Sequence, residues 1–219
     1  VKGKRETKEE RRKRAASVVR ALRKRYPGAR TALEFSNPFE LLVATVLAAQ
    51  CTDKKVNEVT PVLFEKYSGP GDFARARKPS LEKIIKPTGF FRNKSRNLIA
   101  LSRDIVDKHG GVVPDNMEDL VALRGVGRKT ANVVLAGAYD APAIIVDTHM
   151  IRIANRLRFS RNKDPVKIEH DLMDVLSRKV WSDFSFMIVL HGREVCRARK
   201  PLCHICNIEK WCPSSELES

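Results

Sequence analysis

Leu123 to Leu135 reads L-R-G-V-G-R-K-T-A-N-V-V-L. Its two glycines, lysine and threonine come close to a phosphate-binding P-loop, in which the lysine follows directly on the second glycine and a β-strand feeds the loop. Here Arg128 separates Gly127 from Lys129. The preceding Asn116–Leu123, N-M-E-D-L-V-A-L, has the cap residue and spacing of a short helix. The stretch is therefore a turn between two helices. Gly125 and Gly127, with Val126 between them, let the chain reverse tightly and expose backbone N–H groups at the start of the next helix. Such a helix start suits an anion, a DNA phosphate among others; a plain helix connection shows the same pattern. Lys129 falls in the first turn of that helix, beside Arg128. The helix dipole and the neighbouring cation both disfavour its ammonium form, which favours an amine nucleophile. An ordinary solvent-facing lysine is the plainer reading. Eighteen residues on, V-D-T-H (Val146–His149) puts Asp147 at the N-cap of another helix. There it either caps the helix or stabilises a developing cation.

Working outward, the apolar spacing is helical almost throughout. Helices are expected over Ala15–Arg25, Leu41–Ala49, Val56–Tyr67 (interrupted by Pro61), Ser80–Ile85, Asn93–His109, Arg128–Ala138, Asp147–Leu157, Lys167–Arg178 and Ser182–Cys196. Stops such as Tyr26-Pro27-Gly28 and Gly110-Gly111, and the Asp164-Pro165 start, punctuate them. Ala143–Val146 (A-I-I-V) alone reads as a strand, and four residues make no sheet. The expected fold class is all-α, without internal repeats.

The chain has 219 residues, 42 Lys plus Arg against 26 Asp plus Glu, and a formal net charge of +16. That balance points to a polyanionic partner, nucleic acid before membrane, because no helix pairs a basic face with a broad aromatic one. No apolar run reaches the roughly 18 residues of a membrane span. Val1–Arg14, with eight basic and three acidic residues, reads as a frayed basic tail or a DNA-binding arm. The absence of an initiator Met suggests a trimmed chain, and the expected location is cytoplasmic.

Four of the five cysteines, Cys196, Cys203, Cys206 and Cys212, fall at C-x6-C-x2-C-x5-C. Soft thiolates at this density can close around one metal centre. Two disulfides are disfavoured in a basic intracellular chain. Zinc sites of four cysteines usually pair two tight knuckles, and here Cys203 and Cys206 form one. The looser outer spacings suit a 4Fe–4S cluster at least as well. Cys51 follows an apolar helix and reads as a buried thiol. Arg197, Arg199 and Lys200 lie between the first two clustered cysteines, where a metal-tethered loop would present them to phosphates at little ordering cost.

Taken together, the hairpin with its lysine, the V-D-T-H segment and the four-cysteine tail resemble the endonuclease III family, bifunctional DNA glycosylase/AP lyases of the helix–hairpin–helix superfamily. N-P-F-E-L-L-V-A-T-V-L-A-A-Q-C-T-D, from Asn37 to Asp53, extends the likeness, which runs from about Arg30 to Cys212. The resemblance implies a helix–hairpin–helix glycosylase fold, with a six-helix barrel domain over residues 30–141. A cluster domain would be formed by residues 1–29 and 142–219, with double-stranded DNA in the cleft between the two. It implies Lys129 as nucleophile, Asp147 as its carboxylate and the four cysteines as 4Fe–4S ligands. DNA contacts would come from Gly125, Val126, Gly127, Arg128, His149, Arg197, Arg199 and Lys200. Gln50 would fill the gap left by a flipped nucleotide, Phe90 would wedge beside the orphan base, and Asp53 would line the lesion pocket. The family's activity is removal of oxidised pyrimidines of the thymine glycol type, followed by β-elimination. A monovalent cation at the hairpin, a monomeric state and a bacterial, nucleoid-associated setting complete the expectation.

Two positions depart from the family pattern. Arg124 stands where proline is usual, adding charge and removing stiffness, and Phe90 stands where leucine is common. The adenine-mismatch and thymine-mismatch branches lack a lysine at the place of Lys129, and the former carries a further C-terminal domain, whereas this chain ends seven residues after Cys212. A non-catalytic DNA-binding module would need neither Lys129 nor Asp147.

Overall fold

A computed structural model describes residues 6–217. Among them are eleven α-helices: α1 (Lys8–Arg25), α2 (Pro38–Leu47), α3 (Asp53–Lys66), α4 (Pro70–Ala74), α5 (Lys78–Ile85), α6 (Phe91–His109), α7 (Met117–Ala122), α8 (Arg128–Ala138), α9 (Thr148–Arg156), α10 (Pro165–Val175) and α11 (Trp181–Glu194). No β-strand occurs among the described residues. None of their helices is long and apolar enough to cross a membrane.

The chain divides into two units, Thr31–Ala141 and a second made of Val1–Arg30 with Pro142–Ser219. In the first, α2 is the centre: Leu41, Leu42, Val43, Ala44 and Leu47 are all fully buried. A helix apolar on every side belongs inside a protein, and α2 packs against α8, α3 and α6. Asn37 caps it, its Oδ1 accepting from the Glu40 N–H at 3.0 Å, and Pro38 supplies the first turn. α3 runs straight through Pro61 instead of breaking there. Pro61 is exposed, so water can take the carbonyl bond that its missing N–H leaves open.

In the second unit, the inner faces of α1, α9, α10 and α11 close on one core that includes Val18, Leu22, Met150, Ile153, Ile168, Leu172, Phe184 and Ile188. Burying each such side chain stabilises the unit by about 1.5–3 kcal/mol. α1 starts seven residues earlier than its apolar spacing suggests. Thr7 and Glu10 form a capping box, with the Thr7 N–H donating to Glu10 at 2.8 Å and the Glu10 N–H to Thr7 Oγ1 at 3.2 Å. Arg14, read from sequence as part of a frayed tail, lies over the Phe159 ring at 4.8 Å and donates to the carbonyls of Leu157 and Trp211. Val1–Arg5 of that expected tail lie outside the described residues. The Ala143–Val146 segment forms no strand. Its Ala143 and Ile145 N–H groups donate instead to the hydroxyls of Ser182 and Ser185 on α11, at 3.2 and 3.0 Å.

Candidate functional site

The hairpin lies in the first unit. Asn116 caps α7, accepting from the Asp119 N–H at 2.9 Å, and the turn closes with the Val126 N–H on the Leu123 carbonyl at 3.1 Å. Gly125 takes φ +79°, where a side chain is strained, and a Cβ there would meet Asn97 of α6 at 2.6–2.9 Å. Val126 points inward and is buried. Gly127 then starts α8 without any side-chain cap. The first N–H groups of a helix have no partner within it, and in α8 no cap side chain takes one of them. Arg128 is half-buried and Lys129 exposed in the first turn that follows.

Asp104 of α6 adds a second anchor. Lys108, 2.6 Å away, holds the Asp104 carboxyl below its ordinary range; burial opposes this, and the backbone N–H and charge of Arg124 reinforce it. A proline at 124 could not donate that N–H. The departure from the family pattern therefore exchanges a stiff residue for a tie to α6. Neither Asn97 nor Asp104 stands out in sequence, since both sit in a charged helix without a motif.

Two further loops of the same unit carry strained residues. Gln50, after α2, has φ 53°, and Phe90, immediately before α6, has φ 47°. Left-handed backbone costs a non-glycine residue about 1–2 kcal/mol and persists where surrounding structure enforces it. Both side chains are exposed, and Phe90, at 61%, presents an aromatic ring to solvent. Asp53 is the first residue of α3, just after its Thr52 cap, and is half-buried.

In the second unit, Asp147 caps α9, its Oδ1 accepting from the Met150 N–H at 2.7 Å. That bond leaves Oδ2 for other chemistry. His149, in the first turn of α9, is half-buried. Burial lowers its pKa, Asp147 opposes this, and the charges of Arg152 and Arg193 lower it further. The Arg152 guanidinium lies 3.0 Å from His149 Nδ1, and a hydrogen bond to the Gly192 backbone favours the charged ring.

Two arginines of α9 reach the cysteine tail. Arg152 donates to the carbonyls of Gly192 and Cys196 at 3.0–3.1 Å. One turn later Arg156 donates to Cys196 Sγ at 3.1 Å and to the carbonyls of Arg197 and Ala198 at 2.8 and 3.1 Å. The two arginines thus grip the backbone of the loop that carries Arg197, Arg199 and Lys200, all three exposed. Sequence reasoning passed over both. Their only signal is an i, i+4 pair on the polar side of a strongly amphipathic helix.

None of the five cysteines forms a disulfide. Cys196, Cys203, Cys206 and Cys212 line one pocket with Ile153, Leu157 and Ile208. Burial pushes the Cys206 thiol up to about 11, against the Ile208 backbone N–H and together with the charges of Cys196, Cys212 and Cys203; burial also raises Cys212. Thiols raised by burial, as Cys206 and Cys212 are, become thiolates when a metal centre binds them. Among the described residues no three His, Cys, Asp or Glu side chains close on a single ion. The donor set and the cavity therefore fit a group larger than one ion. Cys51, expected as a buried thiol, lies in the other unit and is only partly buried, as the other four are; it follows the exposed turn after α2.

Comparison with known proteins bears on these features. Residues 43–178 match the model of the HhH-GPD superfamily base excision DNA repair proteins. The chain is 47% identical over 204 residues to endonuclease III of Synechocystis sp., covering 93% of each chain. Two solved structures, a non-covalent endonuclease III–DNA complex and a trapped endonuclease III–DNA covalent intermediate, each match with a TM-score of 0.88 at 39% identity. The first match covers 94% of this chain and 97% of that one, the second 94% and 98%. With the all-α fold, the glycine hairpin and the gathered cysteines, these likenesses show that the chain belongs to the endonuclease III family of HhH-GPD base excision repair proteins.

Proposed function

We propose that the chain removes oxidised pyrimidines of the thymine glycol type from double-stranded DNA and cuts the strand through a Schiff base on Lys129. The observation that carries this reading is the exposed Lys129 in the first turn of α8, directly after a tight glycine hairpin whose helix start has no side-chain cap. The target nucleotide leaves the stack at a cost of a few kcal/mol. Phosphate contacts from the amides around Gly125, Val126, Gly127 and Arg128, and from His149, Arg197, Arg199 and Lys200, offset part of that cost. Gln50 and Phe90 enter the space that is vacated, and Asp53 lines the lesion pocket.

Neutral Lys129 attacks C1′ and the damaged base departs. Asp147, anchored through Oδ1 at the cap of α9, stabilises the cationic character at C1′ and takes up the proton that the amine loses. The nitrogen lone pair then opens the sugar ring: the C1′–O4′ bond breaks, Asp147 returns its proton to O4′, and the resulting iminium acidifies the C2′–H bonds. Loss of that proton breaks the C3′–O bond and leaves a nick on the 3′ side. Cys196, Cys203, Cys206 and Cys212 would hold a 4Fe–4S cluster, which supplies a covalent staple for the basic loop and takes no part in these steps.

The test is strand incision of a thymine glycol duplex by wild type, Lys129→Gln and Asp147→Asn. Wild type is expected to leave an unsaturated aldehyde on the 3′ end. Lys129→Gln should bind the duplex and not cut it, and Asp147→Asn should be slower by about 10²–10⁴-fold. Full incision by Lys129→Gln would sink the reading.

A further inference from the structure

Lys94 is a lysine on α6 whose side chain is only 4% exposed. Its Nζ donates to two backbone carbonyls, Leu47 and Thr88, each at 2.7 Å. Leu47 ends α2, where the last helical carbonyls lack intrahelical partners, and it stands three residues before Gln50. Thr88 ends the 3-10 turn Lys86–Thr88 and stands two residues before Phe90. Both carbonyls belong to buried residues. At its other end, the Lys94 N–H donates to the Phe90 carbonyl at 3.1 Å. One side chain therefore joins the two loops whose tips hold non-glycine residues in left-handed backbone. Burial pulls the Lys94 pKa down, and Cys51 beside it opposes the shift.

We propose that Lys94 is a positioning residue: it locks the Gln50 and Phe90 loops into one frame, so that the two exposed side chains enter the DNA stack as a unit. The packing of α2 on α6 brings the two loops near each other, and the shared ammonium ties the last carbonyl of each approach to one point. A hydrocarbon side chain would fill the same volume and leave both carbonyls without a donor. The inference rests on the functional reading above, in that Gln50 and Phe90 are taken to meet duplex DNA.

The test compares two substrates. A thymine glycol duplex requires the loops to hold an extruded nucleotide; a single-stranded oligonucleotide with a preformed abasic site has no stack to open. Lys94→Met is expected to lower kcat/KM on the duplex about 100-fold, the scale of a 1 Å misplacement, and to change single-strand β-elimination by less than about threefold. Leu98→Ala, in the buried face of the same helix, serves as a variant that loses stability without touching the loops and should lower both activities alike. On a Gln50→Ala/Phe90→Ala background, Lys94→Met should have no further effect on the duplex. Equal losses on both substrates, or an undiminished effect in that background, overturn the proposal while the functional reading stands. A wild-type chain inactive on both substrates overturns the functional reading and this inference with it.

Discussion

Gly125→Ala probes the hairpin where backbone and packing demands coincide. At φ +79° the new Cβ would lie 2.6 Å from Asn97 Nδ2, 2.7 Å from its Cγ and 2.9 Å from its Cβ. The left-handed backbone costs alanine about 1 kcal/mol. Forcing Asn97 aside costs about 1–3 kcal/mol more, as overpacking does. The expected loss is about 3 kcal/mol, which urea unfolding reads as a lowered midpoint at unchanged slope. Asn97→Ala removes the two closest contacts and keeps the third. The double variant should therefore regain about 1 kcal/mol or more of the loss, with the backbone share remaining. The displaced turn also carries the amides at the start of α8, so DNA affinity should fall in Gly125→Ala and recover partly in the double variant. Additive effects of the two substitutions, or a Gly125→Ala chain as stable as wild type, would refute the packing of α6 against the hairpin.

Other perturbations test the remaining parts. Arg156→Met removes three hydrogen bonds from the loop behind Cys196; DNA affinity should drop about tenfold, about 1.4 kcal/mol, in titrations at fixed salt. Affinity of the wild type should fall linearly in log–log terms as salt rises, with a slope set by the phosphates contacted, and a flat profile would contradict the electrostatic footprint. His149 is held neutral by burial, so its folded pKa lies below its unfolded value. The unfolded chain then binds more protons between those two values, and stability should decline as pH falls from above the ordinary imidazole range, levelling off below the folded pKa. His149→Gln should lessen that decline in urea midpoints measured from pH 7.5 to 5, leaving the part due to His191, which burial lowers to about 4.

What the sequence makes legible is what depends on neighbouring residues. The caps at Asn116, Asp147 and Asp164 and the bounds of α8 are all local, and all are found where the spacing puts them. The four cysteines announce a shared site by their density alone. The start of α1 was also locally encoded, in T-K-E-E, but a run of charges obscured it, and its docking depends on Phe159 and Trp211 far along the chain. Lys94 lies in R-N-K-S-R-N, which reads as a solvated face. Only the approach of the α2 end and the turn before Phe90 makes it a buried donor to both. Arg152 and Arg156 are hidden for the same reason: their partners are backbone carbonyls some forty residues away, and carbonyls have no signature in sequence.

The chemistry assigned to Lys129 is tested most directly by borohydride reduction during reaction with a duplex bearing one thymine glycol or abasic site. A covalent protein–DNA adduct is expected, with a peptide map that places the sugar on Lys129, and no adduct with Lys129→Gln. An adduct at another lysine, or none from a chain whose cysteines carry their metal centre, would contradict that chemistry.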